Sequence, residues 1–148
     1  MEVSTKHFRK RDAILQYLQS VTDHPSAEKV FTQLKAEIPD LSMGTVYRNL
    51  NLFKQQGLAV SVATVKGVER FDGNTDPHVH FICQECDAVI DLMDMEIPDS
   101  LKSVAENSSG GQVSECVLCF SGLCQDCLKK LEGESPENLY YRRMGAIK

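Results

Sequence analysis

Apolar positions in the first third of the chain recur every three or four residues, the spacing that keeps one helix face apolar. Phe8, Ile14, Leu15 and Leu18 form such a stripe between Lys6 and Leu18. Lys6, Arg9, Lys10 and Arg11 crowd its start, so a short amphipathic helix with a basic beginning is expected. A second helix is predicted from Pro25, suited to a first helical position, through Ala27, Val30, Phe31 and Leu34, stopping before Pro39. A third is marked at both ends. Ser42 is a good N-cap, Val46, Leu50 and Phe53 keep the spacing, and Gly57 suits a left-handed C-terminal cap. Beyond Gly57 the segment 58–72 is rich in β-branched side chains, with Lys66-Gly67 as a suitable turn, which predicts a hairpin. Three short helices followed by a hairpin is the order of a winged helix-turn-helix domain.

The polar side of the third helix carries Thr45, Tyr47, Arg48, Asn49 and Asn51, residue types that read base edges and grip phosphates. An ordinary solvated helix has the same pattern. The capped last helix, the wing-like hairpin and the basic N-terminal cluster together favour double-stranded DNA as partner. The turn-forming run Gly-Asn-Thr-Asp-Pro at 73–77 then marks a boundary. After it, Val79, Phe81 and Ile82, and then Val89, Ile90 and Leu92, read as strands around a cysteine knuckle. A helix is expected from about Pro98 to Asn107, a loop at 108–111, a strand over 112–124, a terminal helix from Cys124, and a polar, frayed end from Glu134.

Charge sharpens this division. Residues 1–72 hold ten Lys and Arg against eight Asp and Glu, whereas residues 73–148 hold six against thirteen, so the net −5 is the sum of +2 and −7. With 42% hydrophobic residues the chain is too apolar for disorder, and no run approaches the roughly 18–20 apolar residues of a membrane span. The stretch after Met1 is polar and basic, unlike a secretory signal, so a cytoplasmic protein with no membrane partner is expected.

In a reducing compartment, cysteines point to metal or redox chemistry rather than to structural disulfides. All six lie in the second half as three C-x-x-C pairs: Cys83 with Cys86, Cys116 with Cys119, and Cys124 with Cys127. Two such knuckles on separate segments suit a tetrahedral Cys₄ zinc site. Either later pair can complete the site begun by Cys83 and Cys86. Cys124 and Cys127 are preferred because they open a helix as a compact knuckle. Cys116 and Cys119, three apart on an expected strand, point to opposite faces and are left as one buried and one incidental thiol, a secondary metal site or a redox function. His78 and His80, two apart on a strand, share a face, with Asp72 before them and Asp91 after, an imidazole and carboxylate set suited to Fe²⁺, Mn²⁺ or Zn²⁺. His24 stands apart.

The segments T-V-Y-R-N-L at 45–50, R-F-D at 70–72, H-V-H-F-I-C-Q-E-C at 78–86 and G-L-C-Q-D-C at 122–127 carry a resemblance over nearly the whole chain. The sequence resembles the ferric uptake regulator family, and within it most the peroxide-sensing repressors. The resemblance implies an α+β protein: a winged-helix DNA-binding domain over 1–72, a hinge at 73–77, and an α/β dimerisation and metal-binding domain over 78–148, assembled as a homodimer. It assigns Cys83, Cys86, Cys124 and Cys127 to structural Zn²⁺, and His24, Asp72, His78, His80 and Asp91 to a regulatory site for Fe²⁺ or Mn²⁺. His24 and His78 match the histidines that take up oxygen when the iron form meets peroxide. Thr45, Tyr47, Arg48 and Asn49 fall in the DNA-binding helix. Asp72 stands where the iron-sensing branch usually has Glu. Three features depart from the family. His-Phe-Arg-Lys-Arg at 7–11 replaces a common Thr-Pro-Gln-Arg, Arg48 stands where some peroxide sensors have Asn, and Cys116 and Cys119 stand where His and an acidic residue are frequent.

The function expected is therefore a metal-dependent transcriptional repressor sensing peroxide, rather than an enzyme. A repressor of metal uptake responsive to iron or zinc is the alternative. A thiol oxidoreductase lacks the expected βαβ context, and a zinc hydrolase lacks a Glu base in an H-E-x-x-H or H-x-E pattern.

Overall fold

The computed structural model describes residues 2–132 and 137, residues 2–5 and 7 by their backbone alone. The elements run α1 (Glu2–Ser20), α2 (Ala27–Lys35), α3 (Met43–Gln56), β1 (Val60–Val65), β2 (Val68–Asp72), β3 (Val79–Cys83), β4 (Val89–Leu92), α4 (Asp99–Ser109), β5 (Cys119–Gly122) and α5 (Gln125–Lys130). Two compact units divide between Pro77 and His78.

In the first unit the helix ends follow local chemistry. Ser26 caps α2, its hydroxyl accepting from the Lys29 N–H at 3.2 Å, so Pro25 precedes the cap instead of holding the first helical position. Ser42 caps α3 by accepting from the Thr45 N–H at 3.2 Å, and Gly57 closes it at φ +72 while the Leu58 N–H donates to the Phe53 carbonyl at 2.8 Å. The apolar stripes then meet in one core of Ile14 and Leu18 from α1, Val30 and Leu34 from α2, and Val46, Leu50 and Phe53 from α3. Fully burying a side chain such as Phe53 stabilises the fold by about 2–3 kcal/mol.

β1 and β2 pair antiparallel, with Val65 opposite Val68 around Lys66 and Gly67. Both turn residues have positive φ, +49 and +80, as a tight two-residue hairpin turn requires. Phe71 on β2 fills the core, fixing the hairpin against the helices. At Gly73 an added Cβ would stand 2.8 Å from backbone atoms of Leu18 and Gln19, so only glycine permits that approach to the end of α1.

The second unit is a sheet of order β4-β3-β5, with β4 antiparallel and β5 parallel to β3. β5 is much shorter than the strand expected over 112–124, because its register against β3 runs only from His80 opposite Cys119 to Cys83 opposite Gly122. Residues 112–118 have no regular structure. α4 closes at Gly110, φ +71, and buries none of its residues; Leu101 and Val104 are exposed. Cys124 occupies the N-cap position of α5. The frayed end expected from Glu134 lies outside the described residues, Glu137 apart. No described helix is long and apolar enough to cross a membrane.

Candidate functional site

Strand β3 ends at Cys83, and the chain turns back at once. The Asp87 N–H donates to the Cys83 carbonyl at 3.0 Å and the Cys83 N–H to the Ala88 carbonyl at 2.9 Å, with Asp87 at φ +62. This knuckle carries Cys86. Parallel pairing sets Gly122 beside Cys83, so the residues that follow, Cys124 and then Cys127 on α5, arrive next to the first knuckle. The four sulfurs lie within 4.8 Å of one another, Cys86 and Cys124 at 3.8 Å. The register also decides between the two later pairs. Cys119 lies opposite His80, three residues back along β3 and thus roughly 10 Å away at the rise of a strand. Cys116 and Cys119 are exposed and stand outside the sulfur cluster.

The thiols of this cluster do not ionise alike. Burial opposes ionisation of Cys83, but the backbone N–H groups of Cys86, Cys124 and Glu85 prevail and hold its pKa down to about 6. Burial and the neighbours Cys124, Cys83 and Cys86 push Cys127 up to about 12. The Ala88 N–H favours the Cys86 thiolate, yet burial and the adjoining sulfurs raise its pKa on balance. One thiolate is thus readily formed, while further ones repel it unless a cation joins them. That is the donor chemistry of a structural zinc site.

The His and Asp residues are carried by both units, two by the first and three by the second. In the first, His24 is 1% exposed, and its Nε2 lies 3.2 Å from Oδ2 of Asp72 at the end of β2. The Asn74 N–H donates to the other Asp72 oxygen at 2.8 Å, holding the carboxylate in place. In the second unit, β3 and β4 set Asp91 opposite His80. One oxygen, Asp91 Oδ1, lies 2.8 Å from His78 Nε2 and 3.2 Å from His80 Nε2, and the two rings stand 4.3 Å apart at centroid. In each unit imidazole nitrogen lies within hydrogen-bond distance of carboxylate oxygen, and the same atoms suit a divalent first-row cation.

The polar side of α3 is only partly exposed. Thr45 and Asn49, expected to be presented to DNA, are buried. The Asn49 amide donates to the Thr45 carbonyl at 2.8 Å, and the Thr45 hydroxyl lies 2.9 Å from that of Ser42. The buried stripe of α3 is two residues wide over its first two turns, 45 with 46 and 49 with 50, where spacing alone marked one. Tyr47, Arg48 and Asn51 are exposed, as expected. The basic start of α1 is partly tied down: Lys10 pairs with Asp40 at 3.1 Å, and Arg11 bonds to Gln56 and lies over the Phe53 ring.

Sequence patterns did not single out Arg70 as a site residue. Its guanidinium donates to the backbone carbonyls of His24 and, at 2.9 Å, Asp23. The R-F-D segment held the signal, but only its Asp was read as chemistry.

Residues 2–120 match the family described as the Ferric uptake regulator family. The chain is 35% identical over 121 residues to the peroxide operon regulator of Bacillus subtilis, covering 82% of this chain and 83% of that one. It is 31% identical over 121 residues to a peroxide-responsive repressor of Staphylococcus aureus, covering 82% and 81%. Among solved structures it is similar to the peroxide stress regulator of Campylobacter jejuni, with a TM-score of 0.69 and 25% identity, covering 85% of this chain and 94% of that one. This chain belongs to the ferric uptake regulator family.

Proposed function

We propose that the protein is a cytoplasmic, metal-dependent repressor that binds operator DNA as a homodimer and releases it when peroxide oxidises a histidine ligand. The observation that carries this is the pairing of every acidic candidate ligand with a histidine. Asp72 meets His24, and Asp91 meets His78 and His80, in a chain about one-third identical to named peroxide regulators.

Cys83, Cys86, Cys124 and Cys127 hold Zn²⁺, which fixes the second unit. His24, Asp72, His78, His80 and Asp91 are the ligands of one regulatory Fe²⁺ or Mn²⁺, with residues 73–77 as the hinge between their carriers. Fe²⁺ held there would supply the electrons that cleave the O–O bond of peroxide, one oxygen leaving as water or hydroxide while His24 or His78 takes up the other. The two aspartates hold the imidazoles with Nε2 turned inward. Oxidation of an imidazole weakens it as a ligand, and the DNA-competent form loses the metal that favoured it. Tyr47 and Arg48 make the DNA contacts from α3, while Thr45 and Asn49 shape the helix that presents them. The exposed Leu101 and Val104 of α4, with Val117 and Phe120 nearby in sequence, support a second copy of the chain as the partner of the second unit.

The experiment is to load the zinc-replete protein with Fe²⁺ or Mn²⁺, add substoichiometric peroxide, and follow operator binding and peptide masses. One added oxygen on a His24 or His78 peptide, in the iron form alone and in step with DNA release, is the expected result. Release without any such mass change would defeat the peroxide mechanism. A response to metal supply, indifferent to peroxide, would favour a metal-uptake regulator.

A further inference from the structure

His24 has φ +53, a left-handed conformation that few non-glycine residues adopt, although Asn, Asp and His do so more often than the rest. Lys66 and Asp87, the other described non-glycine residues of positive φ, sit in a hairpin turn and a cysteine knuckle. His24 instead is buried and precedes Pro25, a neighbour that itself favours extended backbone. Its surroundings must therefore enforce the conformation.

Three consecutive residues of β2 do so. Arg70 donates from Nε to the His24 carbonyl and from Nη2 to the Asp23 carbonyl at 2.9 Å. The Phe71 N–H donates to the Pro25 carbonyl at 3.0 Å. Asp72 then receives the His24 ring, with Oδ2 and Nε2 at 3.2 Å. The Asp23 and His24 carbonyls belong to the peptide planes on either side of the His24 Cα. The guanidinium fork, spanning these two successive carbonyls, restrains both planes, and a lysine ammonium offers no such planar pair of donors.

We propose that Arg70 is a positioning residue for the regulatory metal site: its fork locks His24 in the left-handed conformation that turns Nε2 toward Asp72. This rests on His24 being a metal ligand. Without the fork, the segment before Pro25 relaxes toward extended backbone and the imidazole leaves its carboxylate. Arg70 thereby sets both the affinity for the metal and the share of oxidation that falls on His24 rather than His78.

The test uses the zinc-replete full chain with Arg70→Gln, Arg70→Lys and His24→Ala beside wild type. Affinity for Mn²⁺ is measured by chelator competition, and the iron form is treated with peroxide to obtain the ratio of oxygen added at His24 to that at His78. The expected result is a roughly 10–100-fold weaker Mn²⁺ affinity in Arg70→Gln, with Arg70→Lys between it and wild type. The oxidation ratio shifts toward His78. Loss of general stability would lower both oxidations together and leave their ratio unchanged. If His24→Ala weakens Mn²⁺ binding while both Arg70 variants keep wild-type affinity and ratio, Arg70 has no positioning role and the regulatory site stands. If His24→Ala leaves Mn²⁺ affinity unchanged, the site itself is misassigned and the role of Arg70 goes with it. Should Arg70→Gln not fold, Arg70→Lys decides by the same ratio.

Discussion

The four clustered cysteines all belong to one compact unit, whereas the His and Asp residues divide, two in the first unit and three in the second. The cysteines are brought together by a single parallel strand pairing and a short helix. In each unit the imidazole Nε2 atoms lie within hydrogen-bond distance of a carboxylate, Asp72 for His24 and Asp91 for His78 and His80. Among the clustered thiols Cys83 is held down by backbone N–H groups while Cys86 and Cys127 are pushed up, and a cation held by all four would favour the thiolate of each. On the proposed reading the difference separates a staple from a sensor: the first metal would belong to the fold, while the second would leave with both units still folded.

The largest effect tests the staple. Cys83→Ser or Cys124→Ser, or exhaustive zinc chelation, removes a contribution on the order of 10 kcal/mol and is expected to unfold the second unit. Circular dichroism and zinc analysis read this directly; an unchanged melting curve in a zinc-free variant would erase the contrast.

The sensor is expected to break differently. Asp91→Ala strips the common acceptor from His78 and His80. Mn²⁺-dependent operator binding should fall at least 10-fold, measured by fluorescence anisotropy, while zinc content stays at the wild-type level. Unfolding together with zinc loss would mean that the two metal sets are one structural system.

Much of the fold was legible because its signals are local. Ser42, Gly57 and the Lys66-Gly67 turn act within a few residues of themselves, so their chemistry can be read in order along the chain. β5 was misjudged because its length depends on how many residues of β3 remain to pair with it, which no local pattern contains. The same pairing settles which cysteines meet, a choice that spacing left open. Thr45 and Asn49 were misplaced because polar residue types suggested a solvated face, while packing buries them beside Val46 and Leu50. Arg70 escaped notice because its acceptors are backbone carbonyls 46 and 47 residues away.

That correction on α3 yields a smaller, two-sided prediction. Asn49→Ala removes a buried hydrogen bond and should cost about 1 kcal/mol of stability with little direct effect on DNA affinity. Arg48→Ala should do the reverse, weakening DNA binding by roughly 1–3 kcal/mol and leaving the melting temperature nearly unchanged. Paired thermal melts and operator titrations would reveal whether the two roles have been exchanged.

The smallest effect concerns pH. The Lys54 ammonium, 2.7 Å from Glu69, prevails over burial and holds the carboxyl below its ordinary value. A group depressed in the folded state stabilises it above the unfolded pKa, and that contribution fades as pH falls through the folded pKa. The gap in stability between wild type and Glu69→Gln should therefore be present near neutrality and shrink below about pH 4. Melting curves at several pH values measure it; a gap that widens on acidification would reverse the assigned sign.

The most direct test of the contrast between staple and sensor is the mass of each metal group's peptides after one dose of peroxide to protein carrying zinc and iron. The expected outcome is one added oxygen at His24 or His78, unmodified Cys83, Cys86, Cys124 and Cys127 with zinc retained, and release of operator DNA. Oxidised zinc-cluster cysteines, lost zinc and intact histidines at the point of DNA release would instead place the sensor in the thiolate cluster and contradict the account.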